Sequence, residues 1–66
     1  MKFNELVKGK IYTDREGCGY FKFNGYYNSQ LAEFIEMELD DVNGYLFETD
    51  NILLFNKFEV TDLSEL

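Results

Sequence analysis

Thirteen carboxylates and one thiol are the side chains of this chain best suited to chemistry, and no histidine accompanies them. Histidine is the commonest general acid–base group and the usual partner that activates a nucleophile. Cys18 stands between Gly17 and Gly19 with Arg15 close in sequence, surroundings that suit a reactive thiolate. Without a histidine to pair with, it reads instead as a small packed or incidental thiol. A single cysteine forms no internal disulfide and, with no histidine, no ordinary zinc site, which fits a reducing compartment. No catalysis, no cofactor and no bound metal are expected.

The carboxylates crowd into one stretch, Glu33, Glu36, Glu38, Asp40 and Asp41, with Glu48 and Asp50 following. Aligning Asn43-Gly44 with the centre of a calcium loop puts Asp41 and Asp50 at ligand positions but Leu39 at the first, so an intact EF-hand is excluded. Paired-carboxylate hydrolysis needs a deep cleft, which a chain this short has little material to build. A solvated acidic face remains, and it has a binding use. On a strand, Glu36 and Glu38 project to the same side about 7 Å apart, two strand rises, close to the spacing of successive phosphates along a nucleic-acid strand. With Asp40, Asp41, Glu48 and Asp50 the surface resembles a phosphate path, able to occupy the basic cleft of a nucleic-acid enzyme. Tyr20, Tyr26 and Tyr27, together with Tyr12, complete the candidate contact set, because tyrosine joins a rigid apolar body to a polar tip.

Thirteen acids against six bases leave a net charge of −7. That charge repels nucleic-acid backbones and anionic membranes and favours approach to a basic protein surface, by steering that weakens with salt. No apolar run nears the ~20 residues of a membrane span, and the start, Met1-Lys2-Phe3-Asn4-Glu5, has no secretory pattern. The chain is read as a complete cytoplasmic product of one domain, residues 1–66. At this length a fold buries only about 60% of its unfolded surface. Seven Phe and five Tyr are the means of building a core.

The elements that must position these groups read mostly as strands. Ile11-Tyr12-Thr13 follows a turn at Lys8-Gly9-Lys10, and Asp14–Gly19 is a loop. Tyr20–Asn24 alternates, with Phe21 and Phe23 on the core face. Asn24-Gly25 is a hairpin dipeptide, and Tyr26–Ser29 continues as strand or loop. Residues 30–42 fit two patterns. As a strand, Ile35, Met37 and Leu39 face inward and Glu36 and Glu38 face water; as a helix, Leu31, Phe34, Ile35, Leu39 and Val42 form a stripe. The strand is preferred because both flanks read as strands, and the helix is kept as the alternative. Asp41–Gly44 is a turn, Tyr45–Glu48 a return strand, Asp50-Asn51 a further reversal and Ile52–Phe55 a buried strand. Phe58–Leu63 is a terminal strand or a helical turn, and Ser64-Glu65-Leu66 is expected to fray.

Five or six short strands describe an all-β or β-rich fold, and closure into a barrel would remove the exposed edges. Leu6–Tyr12 opening the first strand, Gly19–Phe23, and Phe58-Glu59-Val60 followed by Leu63 resemble the SH3-like small barrels of bacterial and bacteriophage proteins, Tudor and KOW types included. The resemblance implies a five- to six-stranded barrel. The Ala-Leu-Tyr-Asp-Tyr signature and groove tryptophan of peptide-binding SH3 domains are absent, so proline-rich ligands are not implied. In length, acidity and aromatic content the chain is similar to small phage proteins that inhibit a host enzyme or defence complex. The expected role is therefore a non-catalytic binding module or inhibitor, with a self-associating assembly component, a homo-oligomer, as the alternative.

Overall fold

Tyr, Phe, Ile and Leu dominate the segments that pair, and pairing decides their conformation. The computed structural model describes residues 1–66. After a 3₁₀ turn at Phe3–Glu5 come β1 (Ile11–Thr13), β2 (Tyr20–Tyr26), β3 (Leu31–Asp40), β4 (Tyr45–Asn56), the short helix α1 (Lys57–Val60) and β5 (Ser64–Glu65). They form one antiparallel sheet in the order β4-β3-β2-β1-β5. The fold is all-β, as expected, and within residues 30–42 the stretch Leu31–Asp40 is strand, not helix. Pairing with β2 on one side and β4 on the other overrides the helical propensity of Gln30–Glu33. No helix is long and apolar enough to cross a membrane.

The expected barrel is not closed. β4 and β5 are the two edges of the sheet and share no ladder; α1 turns the chain from one edge to the other. Its start is fixed by reciprocal bonds, Glu59 N–H to Asn56 Oδ1 at 2.8 Å and Asn56 N–H to Glu59 Oε1 at 3.0 Å. The terminus does not fray. Ser64 and Glu65 pair with Thr13 and Tyr12, and Leu66 donates its N–H to the Ile11 carbonyl.

Two turn expectations fail for one reason: glycine and asparagine mark bulges as well as reversals. Asn24 is an extra residue in β2, where the register shifts between Phe23 and Gly25, and Gly25 has φ +115°. The chain reverses only after Tyr26. Asp50-Asn51 likewise lies inside β4, which opposes Ile35 with Ile52 and Met37 with Glu48 and so carries two extra residues there. Tyr45–Glu48 and Ile52–Phe55 are one strand.

The core is Leu6, Tyr12, Phe23, Ala32, Phe34, Val60 and Leu63, with Met1, Phe3, Phe21 and Phe55 packed around it. Phe34 sits at its centre, its ring 5.4 Å from Phe23, 5.1 Å from Phe55 and edge-on to Tyr12 at 6.3 Å. Opposed residues of an antiparallel pair share a face, so Phe34 opposite Phe23 fixes the even-numbered residues of β3 on the core side. The expected inward set, Ile35, Met37 and Leu39, does share a face, but the opposite one. A period of two separates the faces without saying which is covered. Ala32 and Phe34 fit among the aromatic rings, and Glu36 and Glu38 continue the same face past the end of the core. Met37 is buried outside the core cluster, between Tyr20 and Glu48 on its neighbouring strands.

Candidate functional site

β2 begins at Tyr20, opposite Met37, so from Glu38 onward β3 has only β4 beside it. Residues 38–47 therefore form a two-stranded ribbon running past the sheet. Such ribbons are marginal alone, and this one is stiffened at its tip. Asp40 Oδ1 accepts the N–H groups of Val42 (2.9 Å) and Asn43 (3.1 Å), and Oδ2 accepts Asn43 Nδ2–H at 2.9 Å. Gly44, at φ +75°, donates its N–H to the Asp40 carbonyl. These bonds, the Asn43 side chain's foremost, hold the Asp40 carboxyl below its ordinary pKa.

The charge is unevenly placed. Residues 23–56 contain seven of the thirteen acids and none of the six bases, while the other six acids are matched by all six bases. The whole net charge of −7 thus belongs to the part of the chain that holds β3 and β4.

The acids expected to form one surface differ in what they do. Four of those on β3 and β4 are engaged within the fold. Glu33 accepts from Asn24 Nδ2 at 2.6 Å, Glu36 accepts from Asn51 Nδ2 at 2.9 Å, Asp40 holds the turn, and Glu48 pairs with Lys22 at 3.0 Å. Glu38, Asp41 and Asp50 have exposed side chains with no hydrogen bond or ion pair. Nor do the six expected contact acids share a face. Glu36, Glu38 and Asp40 lie on the core-side face of β3, whereas Glu48, opposite Met37, lies on the other. The continuous phosphate-like path is therefore interrupted by the sheet itself. No three Cys, Asp or Glu side chains converge as a metal cage.

The tyrosines are more scattered. Tyr12 is a core residue, 1% exposed, whose hydroxyl accepts the Val7 N–H at 2.9 Å. Tyr20 is half-buried beside Met37 at the base of the ribbon. Tyr26 and Tyr27 lie at the other end of β3, about 30 Å from the ribbon tip at the rise of an antiparallel strand. There Tyr26 stacks on Phe3 and donates its hydroxyl to the Phe3 carbonyl at 2.6 Å, along a shallow groove lined by Phe3, Asn4, Tyr26, Asn28 and Ser29. Cys18 is exposed in the β1–β2 loop, its N–H bonded to Asp14 Oδ1 at 2.8 Å.

Two aromatic residues that sequence reading assigned no role stand on the ribbon instead. Tyr45 opposes Asp40, and Phe47 opposes Glu38, so both share the face of those acids. Their rings are 6.3 Å apart and both are exposed. Their alternation, Tyr45-x-Phe47 within a base-free stretch, was the signal available in the sequence. An exposed ring beside a free carboxylate suits a guanidinium, which can stack on one and pair with the other.

Comparison with protein-family models, with curated proteins and with solved structures finds no match to this chain.

Proposed function

We propose that this protein is a non-catalytic binding module that docks the acidic, aromatic β3–β4 ribbon on a basic surface of another protein. One observation carries the reading: the entire net charge sits in the β3–β4 half of the chain, where Glu38, Asp41 and Asp50 have no internal partner. Unpaired surface carboxylates raise the local negative potential and steer a positive partner toward them. Exposed Val42, Tyr45 and Phe47 on the same ribbon add apolar area to the contact. A basic, arginine-bearing protein surface is the partner this chemistry suits, and where that surface is the working site of a nucleic-acid enzyme its occupancy would make the protein an inhibitor.

The test is charge reversal at the three free acids, Glu38→Lys, Asp41→Lys and Asp50→Lys together, with Glu16→Lys in the β1–β2 loop as control. A basic protein retained by the wild type and the control at low salt, released by high salt and lost by the triple variant, supports the reading. Retention by the triple variant overturns it.

A further inference from the structure

The outer edge of β4 is the most open backbone surface of the molecule. β4 spans twelve residues, pairs with β3 alone, and none of the backbone bonds made outside the ladders involves it. Alternate N–H and C=O groups along that edge point outward; the Asn51 and Asn56 N–H groups bond to Thr49 Oγ1 and Glu59 Oε1, and the others have no partner. Proteins usually blunt such an edge with lysine, proline, a bulge or a short strand; β4 has neither residue and is the longest strand present, and its bulge at residues 49–51 leaves the stretch from Ile52 onward regular. Its two faces differ. Ile52 and Leu54 lie exposed on the face away from the core, at 54% and 41%, and Tyr45 and Phe47 stand with Glu38 on the other.

We infer that β4 receives an extended, arginine-bearing segment of a partner protein as a sixth strand, with apolar residues covering Ile52 and Leu54 and alternate arginines over Phe47 and Tyr45 toward Glu38. This rests on the proposed docking to a basic partner and specifies its mode. Strand addition supplies affinity through main-chain bonds and selectivity through alternate side chains. Charge decides the occupant. A second copy pairing antiparallel along the whole of β4 would set Asp50 of both chains beside each other at the bulge, within a pair of chains carrying −7 each. An alternating cationic strand meets the same edge with opposite sign.

The probe is a twelve-residue peptide alternating arginine and valine, compared with its diastereomer carrying D-arginine throughout, which keeps charge and composition but throws every side chain of an extended strand onto one face, so that it cannot set valine over Ile52 and arginine over Phe47 together. Affinity is read by fluorescence anisotropy at low salt, and β4 amide exchange by NMR. Binding of the all-L peptide at least ten-fold tighter, with slowed exchange at the Ile52 and Leu54 amides, is expected. Equal affinities without slowed exchange would overturn strand addition while leaving charge-driven docking intact. No binding by either peptide would overturn both, and a stable dimer by light scattering without peptide would assign the edge to a second copy.

Discussion

Asn51 donates its side-chain N–H to Glu36 Oε1 at 2.9 Å, and Thr49 donates its hydroxyl to the Glu36 carbonyl at the same distance. Glu36 thereby ties the two extra residues of β4 to β3, although its position in a Glu-x-Glu pattern suggested a freely solvated partner contact. Glu36→Lys removes the Asn51 bond and places a cation beside Phe21, the residue opposite it on β2. Stability should fall by about 1 kcal/mol, lowering the melting temperature by roughly 4–8 °C. Glu38→Lys, at an unengaged site, should change stability by less than ~0.5 kcal/mol while weakening partner binding. Thermal unfolding of the two variants side by side checks the contrast, and equal melting temperatures would refute it.

Tyr12 is fully packed, yet its hydroxyl has a task, accepting the Val7 N–H at the entrance to β1. Tyr12→Phe preserves the ring contact with Phe34 and leaves that N–H without its acceptor. The expected loss is about 1–2 kcal/mol, seen as a lower denaturation midpoint with an unchanged slope. Tyr26→Phe loses an exposed hydroxyl bond that water can replace and should cost less than ~0.5 kcal/mol.

What was legible in the sequence follows from how local each signal is. Phe21 and Phe23 declared the core face of β2 because Lys22 and Asn24 between them are polar, and the alternation had one sensible reading. β3 offered apolar residues on both faces, Ala32 and Phe34 against Ile35, Met37 and Leu39, so only the register with Phe23 could say which face is covered. Asn24-Gly25 and Asp50-Asn51 have turn chemistry but act as bulges, a choice made by pairing with β3 rather than by either dipeptide. Ser64-Glu65 looked like a fraying end because its partner, β1, lies some fifty residues earlier. The acids of the ribbon were legible from their density. Their division into engaged and free groups depends on Asn24, Lys22 and Asn51, which are neighbours only in the folded sheet.

Gly19 admits the Phe21 ring: a Cβ at that position would lie 2.6 Å from Phe21 Cζ. The ring cannot swing away freely, since it meets Phe55 edge-on at 5.2 Å and packs on the core. Gly19→Ala should therefore destabilise by roughly 1–3 kcal/mol, the range for forcing extra atoms into a packed site. In the background of Phe21→Leu, which removes the clashing atoms, the same substitution should cost markedly less. Equilibrium denaturation of the two single variants and the double variant completes the cycle, and additive costs would show that the ring is not the obstacle.

The Asp40 turn carries a pH signature whose direction follows from its bonds. Asn43, through its side chain and then its backbone N–H, and Val42 after it, favour the carboxylate and lower the Asp40 pKa from its ordinary 3.8. As pH falls, the unfolded chain takes up this proton before the folded one does, so the contribution of the turn is complete above the ordinary value and is lost as pH drops through the lower folded one. Asp40→Ala removes the acceptor and with it this part of the acid sensitivity. The expected result is that amide exchange at Val42 and Asn43 in the wild type accelerates, beyond the intrinsic pH trend, only as pH falls below the ordinary aspartate value. In Asp40→Ala it should already be fast near neutrality and show no such step. A step of equal size in both proteins would place the sensitivity on another carboxylate.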